Sequence, residues 1–154
     1  MTAAIACDRC PARPSRRRPA LDATELLPII AVLLVVTVEF GGHALLQFIT
    51  TRRGTLTPLR EQFFRAGHAH AGVLLILSLV YFLYLPRAEF SSGVEWLFGI
   101  LLLVGALAQS GGFFLHLAIG TEGRSSPGTH LTRTGGVLIA AALIALAVGL
   151  IQNL

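Results

Sequence analysis

Long apolar stretches alternate with short polar segments along most of this chain. Four of these stretches are long enough to cross a bilayer, whose hydrocarbon core of about 30 Å needs roughly 20 helical residues. They cover approximately residues 26–49, 63–85, 94–119 and 131–154. The pattern predicts an all-α fold, a four-transmembrane-helix bundle with up-down topology.

The beginning of the chain differs in composition from the rest. Residues 1–24 are rich in arginine and proline and show no apolar period, so we predict a disordered tail followed by one membrane domain, residues 25–154. Cys7 and Cys10 form a lone CxxC motif in this tail, and no second pair assigns it a role. We expect the first span to remain uncleaved, because no small-residue cleavage site follows it.

Composition and charge agree with a membrane protein. The chain is 54% hydrophobic and only 13% charged, whereas soluble domains are about 25% charged. The net charge of +4 comes from arginines that flank the spans, so the expected partner is the lipid bilayer and not nucleic acid. A homo-oligomer or a larger membrane complex is also open. Arg16–Arg18 precede the first span and favour a cytoplasmic N-terminus in a bacterial inner membrane.

All five histidines fall at span ends that share one membrane surface. Consecutive spans alternate direction, so the end of the first, the start of the second, the end of the third and the start of the fourth lie together. The histidines at these places are His43, His68, His70, His116 and His130. This placement predicts a histidine-centred site in one leaflet.

Glu39 belongs to the same half of the membrane. It lies about 10 residues, or roughly 15 Å, from the nearer end of the first apolar stretch, where an ionised carboxylate costs several kcal/mol unless it is paired. His43 and Gln47 follow at steps of four residues and share its helical face. We expect Glu39 to be held by His68 or Gln109.

Small residues surround the polar positions of the later spans. His68 and His70 stand among Ala and Gly, which permit close helix packing or leave room for a flat macrocycle. The two rings point about 200° apart on a helix, which favours His68 as the interior one. Gln109 and His116 share one face of the third span with two glycines. In the fourth span we predict a packing ridge of small residues, namely Ala141, Ala145 and Gly149.

Three functions fit these residues. The first is binding of haem b or a transition-metal ion in a redox or metal-handling role, since imidazoles and carboxylates from several helices can form such a site. The expected ligands are His43, His68, His70 and His116. Arg65 would pair with a haem propionate, and Glu39 would orient the ligands. Gln109 is a further candidate for contact with the cofactor.

The alternatives are a cofactor-free structural or assembly subunit of a membrane complex and a proton-coupled small transporter. A carboxylate beside titratable histidines is what a proton relay uses. No P-loop, HExxH or Gly-x-Ser-x-Gly motif is present, so no motif assigns an enzymatic activity, and for the chain alone a non-enzymatic role is favoured over an enzymatic one.

The run from Phe63 to Gly72, FFRAGHAHAG, follows a first span with Glu and Gly-Gly and precedes a third span with Gly-Gly. This arrangement resembles small four-helix membrane proteins of GC-rich bacteria, a resemblance that covers most of the chain and implies the fold but no activity. In helix number and histidine placement the chain is also similar to four-helix membrane cytochromes, which implies haem. It departs from them because their ligands stand at both membrane faces or in strict pairs.

Overall fold

Each predicted span forms one helix. The computed structural model describes residues 22–51 and 57–154 and contains α1 (Ala23–Thr51), α2 (Pro58–Tyr84), α3 (Ser92–Ile119) and α4 (Pro127–Gln152). All four are long and apolar enough to cross a membrane. The predicted four-helix fold is therefore confirmed, and these helices indicate a multi-pass membrane protein. Of the tail predicted for residues 1–24, residues 1–21, with Cys7 and Cys10, lie outside the described residues. The prediction is wrong at its end, because Ala23 and Thr24 belong to α1, which Asp22 caps.

Polar caps extend the helices beyond the apolar runs. Asp22 accepts a backbone N–H at the start of α1, Thr57 does so at the start of α2, and Ser126 forms a reciprocal capping box with Thr129 at the start of α4. In α2 and α4 the first helical residue is a proline, which needs no N–H partner there. These helices consequently begin before the starts predicted near residues 63 and 131.

α2 and α3 form the centre of the bundle, with α1 packed mainly on α2 and α4 mainly on α3. In the apolar window of α1 only 11% of the residues are buried, against 39% in α3. A short 3-10 helix, Leu85–Ala88, leads from α2 towards α3, and Asn153 after α4 donates to the carbonyl of Ala88 at 2.9 Å. α1 is therefore the helix with the least cover.

The contact between α3 and α4 is the most extensive in the bundle, and glycines bring the two backbones together. A Cβ added at Gly112 would lie 2.5 Å from the carbonyl oxygen of Gly128. A Cβ at Gly105 would lie 2.9 Å from the carbonyl oxygen of Gly135. Neither position has room for a side chain, so these glycines allow the close approach that small residues give membrane helices.

The ridge predicted on α4 is wrong in its register. Ala141 is exposed and Ala145 is half-buried, so only Gly149 of that ridge is buried. From Gly135 onward, the buried residues of α4 instead follow one another at alternating steps of four and three: Gly135, Ile139, Ala142, Leu146 and Gly149. Gly128, also buried, lies seven residues before Gly135. Residues spaced by four at every step wind gradually around the helix and leave the contact with its neighbour. Residues spaced alternately by three and four stay on the face that contacts the neighbouring helix.

Candidate functional site

His116 lies in the last turn of α3, at the end of the bundle where α2 and α4 begin. It is buried, with 9% of its surface exposed. Its Nδ1 lies 2.7 Å from Oγ of Ser126, the residue that caps α4. One face of the ring stacks on Phe63 of α2, with the ring centroids 4.4 Å apart. Residues of α2, α3 and the start of α4 thus hold this imidazole in one orientation.

The glycine that follows α3 leaves room for this ring. The backbone N–H of Gly120 donates to the carbonyl of His116 at 2.7 Å and closes the helix. A Cβ at Gly120 would lie 2.6 Å from both Cγ and Nδ1 of His116, a distance that real Cβ atoms do not adopt. The end of α3 and the position of the imidazole therefore depend on each other.

One nitrogen of this imidazole remains available. Among residues 22–51 and 57–154, the ring makes hydrogen bonds only through Nδ1, to Ser126 and, at 3.5 Å, to Oγ1 of Thr129. Nε2 has no partner there and can donate or accept according to the tautomer. Because the bond at Nδ1 fixes the orientation of the ring, His116 is the histidine best arranged to contact a ligand.

Three cavities surround this histidine, and each has both His116 and Phe63 in its wall. Their volumes are about 340, 240 and 200 Å³. Each wall also contains one arginine, and two of the walls contain Glu122. Arg124 lines the largest of the three, Arg133 the second and Arg60 the smallest. Three cationic side chains against one carboxylate make these cavities attractive to an anion.

His68 is directed towards the first helix. A Cβ at Gly42 would lie 3.0 Å from Cε1 and Nε2 of His68, and one at Gly41 would lie 3.8 Å from its Nδ1. The glycine pair of α1 thus makes space for an imidazole of α2. This half-buried histidine packs between two helices, away from the cavities around His116.

His70 occupies a third environment. Its Nδ1 lies 2.8 Å from the carbonyl oxygen of Ala66 and must donate to it, because a carbonyl only accepts. Its ring centroid lies 4.7 Å from that of Phe113, which in turn lies 6.2 Å from that of Phe63. Phenylalanine rings therefore separate His70 from His116.

Glu39, His43 and Gln47 share one face of α1 as predicted, but that face points away from the bundle. All three residues are exposed. The expectation that His68 or Gln109 holds Glu39 is wrong, because the carboxylate makes no hydrogen bond or ion pair within the described residues. The glycines of α1 draw its other face towards α2, so the polar face turns outward.

The other predicted site residues also lie apart from His116. The side chain of Gln109 faces α4, where its Oε1 would lie 3.5 Å from a Cβ at Gly136. The backbone carbonyl of Gln109 accepts from Oγ1 of Thr132 at 3.2 Å. Arg65 pairs with Glu61 one turn earlier, at 2.6 Å, so its guanidinium already has a carboxylate partner. His130 is exposed in the first turn of α4.

The structure places the histidines towards one end of the bundle but in separate surroundings. In the part of the chain that it describes, no group of three or more His, Cys, Asp or Glu residues is arranged to hold a metal ion. It therefore gives no support to a cluster formed by His43, His68, His70 and His116. The geometry favours His116, which lines three adjoining cavities.

Sequence reasoning missed Phe63, Ser126 and Thr129 as site residues. A Ser followed by Pro, with Thr three residues after the Ser, carries a recognisable capping signal. That signal would have placed two hydroxyl groups at the start of the fourth helix, beside the end of the third. No comparable signal exists for Phe63, because its contact depends on how α2 sits against α3.

Comparison with known proteins gives no relative: no protein-family model, no curated protein and no solved structure matches this chain. A functional assignment therefore depends on the geometry around His116.

Proposed function

We propose that this protein binds the phosphate headgroup of an anionic lipid in the cavities around His116. The supporting observation is a buried imidazole, with Nε2 unpartnered among the described residues, in cavity walls that carry three arginines. Phosphate oxygens accept strong hydrogen bonds from guanidinium groups and from imidazole N–H. Basic pockets between transmembrane helices are typical binding sites for anionic headgroups.

The cavities also differ in the polarity of their walls, as expected for a site that binds an amphiphilic lipid. The cavity with Arg124 has Ser125 and Thr129 in its wall, so it offers hydroxyl donors to a headgroup. The cavity with Arg133 is lined more by apolar surface, including Phe113 and Gly112. A headgroup in the first cavity could thus extend an acyl chain along the second.

Haem b is a second candidate, favoured by the hydrogen bond between His116 and Ser126. Imidazoles that ligate a metal usually donate their other ring N–H to a neighbouring acceptor, and the Oγ of Ser126 stands in that position. The arginines of the cavities, in place of Arg65, would then pair with the propionates. A haem is larger than any one of the cavities, so the headgroup is preferred. A transition-metal ion has less support, since no three-ligand group is present among residues 22–51 and 57–154.

A proton-coupled transport role has less geometric support than these. Glu39 faces outward from the bundle, whereas Ser78 and Tyr81 lie buried inside it. A relay needs its polar groups connected to each other, and within the described residues no hydrogen bond connects the exposed Glu39 to these buried groups.

Lipid binding can be tested with the full chain purified in a neutral detergent. Short-chain phosphatidylglycerol should raise the midpoint of thermal unfolding, whereas phosphatidylcholine should not. Arg124→Gln should weaken binding about tenfold or more, because a hydrogen bond to a charged group contributes about 1.5–3 kcal/mol. Arg87→Gln is the matched control, since Arg87 is an exposed arginine at the opposite end of the bundle, beside Tyr84.

The outcomes separate the candidates. Equal weakening by both arginine substitutions would contradict the proposal, because binding would then follow overall charge. If inorganic phosphate alone binds as tightly as the lipid, soluble phosphate is the ligand. A haem absorption band in the purified protein that disappears in His116→Ala would select haem.

A further inference from the structure

The outer face of α1 carries a heptad pattern. Its residues are spaced alternately by three and four: Ile29, Val32, Val36, Glu39, His43 and Leu46. All six are exposed. We refer to this set as the α1 seam. An average spacing of 3.5 residues keeps such a seam on a partner helix along its whole length.

The opposite face of α1 is the one that packs within the bundle. Leu27 and Ala31 are buried there, and Val38 packs against the core. The α1 seam is therefore a second, uncovered face of the same helix. α1 is also the span with the smallest buried share.

Glu39 and His43 make lipid an unsuitable cover for this seam. The other four residues of the seam are aliphatic and could face acyl chains. A carboxylate and an imidazole at this depth would lack water and partners, and such groups in membrane helices normally pair or face protein. The covering surface must therefore offer polar groups at the level of these two residues.

We propose that a second copy of this chain covers the α1 seam and forms a parallel α1–α1 pair. Identical chains insert in the same direction, so a twofold axis normal to the membrane brings their α1 helices together in parallel. In a parallel coiled coil, a residue at position d fits into a hole that includes the next position a of the partner. With Ile29 at a, Glu39 is at d and His43 is the next a.

The seam is consequently complementary to itself. Glu39 of one copy meets the partner subunit's His43, and the same contact recurs on the other side of the twofold axis, as an isologous interface requires. A foreign helix would need its own base and acid at the same two levels. A second copy supplies both, and this charge complementarity identifies it as the occupant.

Disulfide formation in native membranes tests this arrangement. In a background with Cys7→Ser and Cys10→Ser, Val36→Cys should form a disulfide-linked dimer on mild oxidation. Position 36 is an a position, which brings the two Cα atoms to a separation near the 4.4–6.8 Å that disulfides span. Thr37→Cys is the matched control, because Thr37 is also exposed on α1 but projects beside the seam. The dimer yield should be at least tenfold higher for position 36.

Exchange of the polar pair tests the contact itself. Glu39→Ala and His43→Ala should each lower the crosslinking yield at position 36 severalfold. The double exchange Glu39→His with His43→Glu should restore it, because the pair is kept with its members reversed. Equal yields at positions 36 and 37, crosslinking of position 36 to a different protein, or unchanged yields in both alanine variants would overturn the proposal.

Discussion

At the scale of single residues, five histidines of the same chain meet different environments. His116 is buried against Phe63 and Ser126, and His68 packs on the glycine pair of α1. His43 and His130 are exposed. The difference arises from the helix face on which each residue stands. Only a histidine that points into a helix–helix junction gains fixed partners.

The glycine after α3 should be required for the His116 site. In Gly120→Ala the added methyl group would meet the ring of His116 at about 2.6 Å. We expect the ring to tilt away from Ser126, a loss of about 1–3 kcal/mol in the free energy of unfolding, and weakened ligand binding. Unfolding by SDS titration, followed through the fluorescence of Trp96, measures the first effect.

Gly93→Ala is the control for this substitution. A Cβ at Gly93 meets nothing within 4 Å, so stability and ligand binding should stay close to those of the parent protein. Equal losses of stability and of ligand binding in the two variants would show that neither depends on the space between residue 120 and the ring of His116.

At the scale of helices, α3 and α4 approach most closely at positions where both helices carry glycine. Gly105 and Gly112 of α3 contact Gly135 and Gly128 of α4 through backbone atoms. Membrane helices gain no hydrophobic driving force from each other, so van der Waals contact between close backbones stabilises them. This pairing also carries Ser126 to His116, because it brings the start of α4 beside the end of α3.

Two adjacent glycines of α3 allow a matched test of this packing. In Gly112→Ala the new methyl group would lie 2.5 Å from the carbonyl oxygen of Gly128, whereas in Gly111→Ala it meets nothing within 4 Å. We expect Gly112→Ala to lower the free energy of unfolding by about 1–3 kcal/mol. Gly111→Ala should be neutral or slightly stabilising, since Ala favours a helix by up to about 1 kcal/mol over Gly. SDS titration of both variants side by side would show equal stabilities if the close contact were absent.

At the scale of the whole molecule, four antiparallel spans set which loops share a membrane surface. The α3–α4 loop adjoins the start of α2, as the cavity that Leu59 and Phe63 share with Glu122, Gly123 and Arg124 shows. The turn between α2 and α3 lies at the other end, where Ala88 accepts a hydrogen bond from Asn153.

Cysteine accessibility checks this topology. In a background without Cys7 and Cys10, Thr57→Cys and Glu122→Cys should react with a membrane-impermeant reagent from the same side, and Ser91→Cys from the opposite side. All three positions are exposed and lie at helix ends or in loops. Labelling of all three from one side would contradict the bundle and the shared surface of the histidines.

The sequence by itself determined the number of helices and their apolar spans. It also determined that Glu39, His43 and Gln47 share one face of α1, and that two glycines of α3, Gly105 and Gly112, share a face with Gln109 and His116. These features follow from helix periodicity and from the thickness of the bilayer, which act within one segment and need no knowledge of its neighbours. The caps Ser126 and Thr57 were readable in the same local way.

Only the tertiary structure decided which faces meet. Periodicity defines a face of α1 but not its direction, and the glycines that accommodate His68 turned the polar face of Glu39 outward. Helix packing also placed Phe63 on the ring of His116 and Phe113 beside that of His70. The physical reason is that packing between helices depends on the shapes of two surfaces together, and a single sequence pattern describes only one of them.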